Sequence, residues 1–146
     1  MDCGKKLNMQ GYLSLFVLST LMLLVGCSSD DDIEKDLIDG VWDVRNISGG
    51  FAGINDDYPQ GIIIWNFNTR KSELTVTNNN ATNTIYDGFE SGKYPYSILR
   101  IDKALYLEID GHEFGGMVIS QNELVIDQNK TSTGSGADGF VFLLKN

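Results

Sequence analysis

Few residue types in this chain are able to do chemistry, and one of them stands in a telling place. Cys27 follows the apolar string Leu24, Val25 and Gly26. A nucleophilic thiol beside a small residue, with an aliphatic side chain three places earlier, suits acylation of the thiol followed by cleavage before it. The chain has a single histidine, His112, in Asp110-Gly111-His112-Glu113. A Ser-His-Asp or Cys-His arrangement would have to use it, and its setting reads as a solvated turn. Zinc bound by His and Cys lacks ligands. Glu108 and Asp110 are two apart and share a strand face, but Leu105, Leu107 and Ile109 claim the inward one, so the carboxylates face water. Asp56 and Asp57 lie in a loop. The stretch 127–138 alternates oxygen side chains, yet it has no glycine at its sixth place and no closing Glu, so it reads as a polar loop rather than a calcium loop. Gly134 and Gly136 precede no helix and make no phosphate cradle. Three Asn-x-Ser/Thr triplets begin at Asn46, Asn80 and Asn129 and read as coincidence in an Asn-rich chain. No catalytic residue, metal or cofactor is expected.

The segment before Cys27 explains the thiol. Lys5 and Lys6 precede an uncharged apolar run, Tyr12 to Val25, which ends at a small residue. That is the layout of a secretory leader, and it is short for a membrane span of about 20 apolar residues. The string Leu24-Val25-Gly26-Cys27 resembles the lipobox of bacterial lipoproteins. The resemblance implies that Cys27 receives a diacylglycerol, that residues 1–26 are removed, and that the lipid ties the chain to a membrane. Cys3 is then lost with the leader, so the mature protein has neither a free thiol nor a disulfide. Ser28-Ser29-Asp30-Asp31-Asp32 resembles the acidic export signal of Bacteroidota surface lipoproteins, which implies an outer-membrane, surface-exposed address. The same run also suits an extended, self-repelling tether.

Roughly 120 residues follow the leader, the size of one domain. Of the 11 basic and 20 acidic residues, two Lys and one Asp lie in the leader, leaving a net charge of −10. Such a surface argues against nucleic acid as partner and against lying flat on anionic lipid.

Residues 27–39 are expected to form an acidic tether and a short helical turn over Ile33–Asp39, ended by Gly40. Residues 40–146 form the domain. Short β-branched and aromatic runs alternate there with Gly, Asn, Asp and Ser clusters. Eight strands are expected, over Val41–Ser48, Gly61–Asn68, Glu73–Asn79, Lys93–Ile101, Ala104–Asp110, Gly116–Ser120, Glu123–Gln128 and Gly139–Lys145. Alternation gives one apolar face to Leu105, Leu107 and Ile109, to Tyr94, Tyr96 and Ile98, and to Phe140, Phe142 and Leu144. The second strand is apolar on both faces at its start, with the helical turn as the element expected to cover it. Mostly short links and no helical crossover predict an all-β, eight-stranded antiparallel up-and-down barrel.

Gly40-Val41-Trp42, at the start of the first strand, resembles the G-x-W signature of lipocalins. The domain is similar to small lipocalin-like domains of bacterial lipoproteins over about residues 37–146. The resemblance implies that Trp42 closes the barrel floor against a basic residue of the last strand, here Lys145. It also implies a barrel that holds a small apolar ligand, lined by Trp42, Trp65, Tyr94, Tyr96 and Phe140. The other reading of the same residues is a packed barrel whose long loops, carrying Phe51, Tyr58, Tyr86 and Phe89, hold a protein or glycan or plug one end.

Overall fold

The structure, a computed structural model, describes residues 37–146. The leader, Cys27, the acidic run and most of the expected helical turn lie outside the described residues. Eleven strands follow in order: β1 (Gly40–Gly49), β2 (Ile54–Asp57), β3 (Ile63–Asn68), β4 (Glu73–Asn78), β5 (Gly92–Ile101), β6 (Ala104–Ile109), β7 (His112–Ile119), β8 (Glu123–Asp127), β9 (Lys130–Thr131), β10 (Gly134–Ser135) and β11 (Phe140–Lys145). Neighbours are antiparallel, and β11 returns to pair with β1 from Asp43↔Lys145 to Gly49↔Phe140. The sheet thereby closes into a barrel, which leaves only the short β2 paired on one side.

The barrel has eight strand positions because β2 and β3 share one. β2 pairs with the second half of β1 (Asn46↔Asp57), and β3 pairs with the first half (Trp42↔Trp65). β9 and β10 form a separate small hairpin in the link to β11. All eight expected strands are present, and the alternation holds. Trp42, Val44, Ile63, Trp65, Phe67, Leu74, Leu107, Ile126, Phe142 and Leu144 all point inward and are buried.

The short turns define a base. They join β3 to β4, β5 to β6 and β7 to β8, and the chain enters β1 at the same end. The links β1–β2, β4–β5, β6–β7 and β8–β11 gather at the other end, the mouth. At the base Leu37 and Ile38 are helical. Ile38 is fully buried in the core, and its carbonyl accepts a hydrogen bond from Trp42 Nε1 at 2.8 Å. The described part of the expected turn therefore packs into the floor, not over the outside of the second strand. Asp39 then accepts bonds from Thr69 N (2.8 Å) and Thr69 Oγ1 (2.7 Å), and these hold its carboxyl below the usual range. Lys145 does not stack on Trp42. Leu144 takes the inward register, so Lys145 faces out, where it pairs with Glu123 at 3.8 Å.

Candidate functional site

The residues expected to line a cavity all take inward registers, and rings fill the space between them. Trp42, Trp65 and Tyr96 are buried, while Tyr94 and Phe140 are half-buried near the mouth. Four rings surround Trp65, with centroids at 5.6 Å (Phe142), 5.7 Å (Phe89), 5.8 Å (Phe114) and 6.2 Å (Phe67). Tilted and edge-on rings at such distances attract beyond their area burial. Tyr96 packs edge-on to Phe67 at 5.1 Å. Burial first, then the charge of Asp39, pushes the Tyr96 hydroxyl up to about 12.

Two of the rings come from the 79–91 loop rather than from the barrel wall. Phe89 rests between Trp65, Phe114 (5.2 Å) and Tyr94 (4.9 Å), and Tyr86 stacks on Phe140 at 4.2 Å. Between them Gly88 has φ +91°, and a Cβ there would stand 3.3 Å from the Phe142 ring. Glycine lets the backbone make this close approach in a conformation other residues resist. Side-chain bonds tie the loop down: Tyr58 Oη donates to the Tyr86 carbonyl (3.3 Å), and Asn78 Nδ2 donates to the Phe89 carbonyl (3.2 Å). Asn80 Nδ2 donates to Asp87 (3.0 Å) and Thr84 (3.2 Å). Burial pushes the Tyr58 and Tyr86 hydroxyls up. The loop thus acts as a plug made of its own aromatic side chains.

Phe114 reaches the core through an irregularity. The β6–β7 register runs Leu107↔Gly115 and then Glu108↔Glu113, so Phe114 is an extra residue in the ladder. A bulge turns its side chain inward. Trp65 Nε1, at the centre of this cluster, is a buried donor without a partner.

Outside the plug, the mouth offers a cleft of about 450 Å³ between β2 and the 79–91 loop. Its lining includes Asn55, Asp56, Tyr58, Asn79, Asn80 and Thr82. Amide, hydroxyl and carboxylate side chains stand there beside apolar surface from Pro59, Ile62 and Ala81. Two large apolar side chains stand out from loops at this end, Phe51 at 92% and Ile85 at 73% exposure. Of the four loop aromatics in the alternative reading, Tyr58, Tyr86 and Phe89 thus face in, and Phe51 faces out.

The mouth is also acidic. Asp56, Asp57, Asp87, Glu90, Asp110 and Asp138 lie in its loops and on β2, where Lys130 is the one Lys or Arg among the described residues. Lys130 pairs with Asp127 at 3.3 Å. Burial raises the Asp127 carboxyl, but bonds from Asn129 and the charge of Lys130 outweigh it and bring the group down. Glu113 accepts bonds from Ser132 N (2.6 Å) and its hydroxyl, and these fasten the β9–β10 hairpin to β7.

The single histidine and the Glu108 and Asp110 carboxylates lie on and beside the β6–β7 hairpin. His112 opens β7, exposed, with Nδ1 2.9 Å from the Asp110 carbonyl. Glu108 faces out and accepts a bond from Ser97 across the β5–β6 ladder. Among the described residues no three His, Cys, Asp or Glu side chains gather as a metal site, and no helix is long and apolar enough to cross a membrane. Comparison with protein-family models, with curated proteins and with solved structures gives no match.

Proposed function

We propose that this protein is a lipid-anchored recognition module, held on the outer surface of the outer membrane through Cys27, and that it is not an enzyme. It holds an external glycan or protein on the loops at the mouth of a packed barrel. The observation that carries this reading is the filling of the barrel around Trp65, where rings occupy the volume a guest would need. Binding capacity then falls to the outside of the plug. The 450 Å³ cleft, lined by Asn55, Asp56, Asn80 and Thr82, suits a polyhydroxylated ligand, because amides and carboxylates pair with hydroxyls in both directions. The chain enters at the base, so an anchor there leaves the mouth facing away from the membrane.

Screening the protein against an array of glycans, with Asp56→Ala and Ile85→Ser variants beside it, tests this reading. Binding that either substitution weakens tenfold or more supports a mouth site. Binding that both variants keep in full places recognition elsewhere and overturns the reading.

A second reading has its own support. The unpartnered Trp65 Nε1 would gain an acceptor from an apolar guest bearing a carbonyl or carboxylate, if the 79–91 plug swung aside. That reading makes the protein a carrier of small apolar molecules, and it predicts binding that strengthens when Phe89 is removed.

A further inference from the structure

We propose that β2 is an open pairing edge: an extended segment of a partner polypeptide adds to it as a further strand in the mouth cleft and brings a basic side chain to Asp56. The proposal rests on the reading of the mouth as the recognition site. Of the two partners that reading allows, it selects a protein.

Among the described residues, β2 pairs with β1 and with no other strand. Its register shows which backbone groups are spare. Tyr58 N–H donates to the Arg45 carbonyl at 2.9 Å, so these two residues form a hydrogen-bonded pair. Antiparallel pairs alternate between bonded and non-bonded. Asn46↔Asp57 and Ser48↔Asn55 are therefore non-bonded pairs, and Ile47↔Asp56 is a bonded one. The N–H and C=O groups of Asn55 and Asp57 then point away from β1, toward the cleft that both residues line. They recur about 7 Å apart, the two-residue repeat at which another strand presents its own peptide groups.

The surroundings leave this edge open. A Cβ on Gly53 or Gly61, before and after β2, would meet no atom within 4 Å, so neither turn crowds its ends. The far wall of the cleft offers no second edge. There the N–H groups of Asn80 and Thr82 are taken by the side chains of Asn78 (3.0 Å) and Asn80 (3.1 Å). Pairing therefore belongs to β2, while Pro59, Ile62 and Ala81 give the added strand apolar surface to rest on.

Asp56 gives the partner its chemistry. It stands opposite inward-facing Ile47 in the ladder, so its half-buried carboxylate shares the inner face. No hydrogen bond or ion pair holds it among the described residues. Asp57 differs, because it faces out, accepts a bond from Asn46 Nδ2 (2.9 Å) and has Arg45 beside it. An inward charge is one way in which sheets guard an exposed edge against chance pairing. The same charge admits a strand that sets a Lys or Arg opposite it, since opposite charges across a ladder attract. Main-chain bonds then supply the hold, and the facing side chain supplies the selection.

The test selects linear twelve-residue peptides from a random display library on the full chain in detergent. Binders are remade with alternate backbone nitrogens methylated, in both phases. One phase removes the donors that would face β2, and the other spares them. Binding is then measured on Asn55→Pro, Asn55→Ala and Asp56→Asn chains. Proline deletes a spare N–H and leaves the β1 ladder whole. Alanine keeps that N–H and loses only the side-chain bond from Asn46 Nδ2 (3.0 Å).

The proposal expects binders that carry Lys or Arg. One methylation phase should cost them tenfold or more in affinity, and the other less than threefold. Asn55→Pro and Asp56→Asn should each cost tenfold or more, and Asn55→Ala less than threefold. If the proline chain does not fold, the two methylation phases decide. Equal effects of the two phases overturn the proposal, as do binders without a basic residue. Equal losses on Asn55→Pro and Asn55→Ala assign recognition to the side chain, which overturns strand addition and leaves the mouth reading standing. A library without binders also overturns it, and a glycan that binds the same chain then keeps the mouth reading. Peptide binding that is indifferent to changes at 55, 56 and 85 overturns both.

Discussion

Trp42 and Trp65 face each other across the β1–β3 ladder, yet their indoles serve opposite ends of the barrel. Trp42 is fully buried, and its Nε1 donates to the Ile38 carbonyl at 2.8 Å. Trp65 is equally buried and its Nε1 has no partner. The floor under Trp42 is built from backbone: a helical turn, tight strand links, and Asp39 clamped to Thr69. The cover over Trp65 is built from side chains, with Phe89 and Tyr86 supplied by an irregular loop. An unmade hydrogen bond in a buried site costs about 1–3 kcal/mol, whereas each ring contact returns roughly 0.5–1.5 kcal/mol beyond its burial. Dense ring packing is therefore what lets the mouth tolerate the orphan donor. The base is closed to stay closed, and the mouth carries the groups that differ from a plain floor.

The largest effects should come from the two indoles. Trp42→Ala and Trp65→Ala should each cost about 3–5 kcal/mol, read from urea midpoints with unchanged slopes. Phe substitutions separate the two ends. Trp42→Phe should destabilise by roughly 1–3 kcal/mol more than Trp65→Phe, because only the former strands a buried carbonyl. Equal losses would break the comparison. Next in size is Phe89→Ala, expected to cost about 2 kcal/mol, since its ring is half-buried. Its mark should be local, with faster amide exchange in residues 79–91 and none at the base. Exchange that quickens at both ends would mean that floor and cover unfold as one unit. The smallest effect concerns Tyr96. Its folded hydroxyl lies at about 12 against an ordinary 10.0. A value raised in the folded state adds stability that is whole below pH 10 and lost as pH climbs toward 12. Denaturation across that window should show the loss, and Tyr96→Phe should flatten it.

The barrel was legible because its strands are half-buried and alternate. Tyr94-Pro95-Tyr96 and Phe140-Val141-Phe142 announce an inward face with no tertiary information. The residues by themselves mark Trp42 as a core tryptophan, and its floor position comes only from the resemblance of Gly40-Val41-Trp42 to the lipocalin signature. The misses share a cause, which is pairing that depends on backbone rather than on side-chain pattern. Ile54-Asn55-Asp56-Asp57 reads as a polar loop, yet β1 outruns β3 and its spare hydrogen bonds are met by these residues as β2. Lys130-Thr131 and Gly134-Ser135 likewise pair as a hairpin inside a stretch rich in turn residues. Phe114 lay before the expected start of its strand, because a bulge breaks the period that would reveal it. The lipocalin resemblance implies Lys145 against Trp42, whereas the parity set by Leu144 turns it outward. At the candidate site, the aromatic loop residues were visible but their directions were not. Which of Phe51, Tyr58, Tyr86 and Phe89 turn inward depends on where the barrel mouth has room, and no local pattern encodes that.

The central claim is that the barrel is solid and that recognition belongs to its outer mouth. The most direct measurement is a fluorescence titration of a Trp42→Phe chain, in which Trp65 is the only tryptophan, with palmitate and a hydrophobic dye. The account predicts no saturable change in Trp65 emission at concentrations up to the solubility of either probe. A saturable, stoichiometric change would show that a guest displaces the Phe89 ring and reaches the barrel core, and would contradict it.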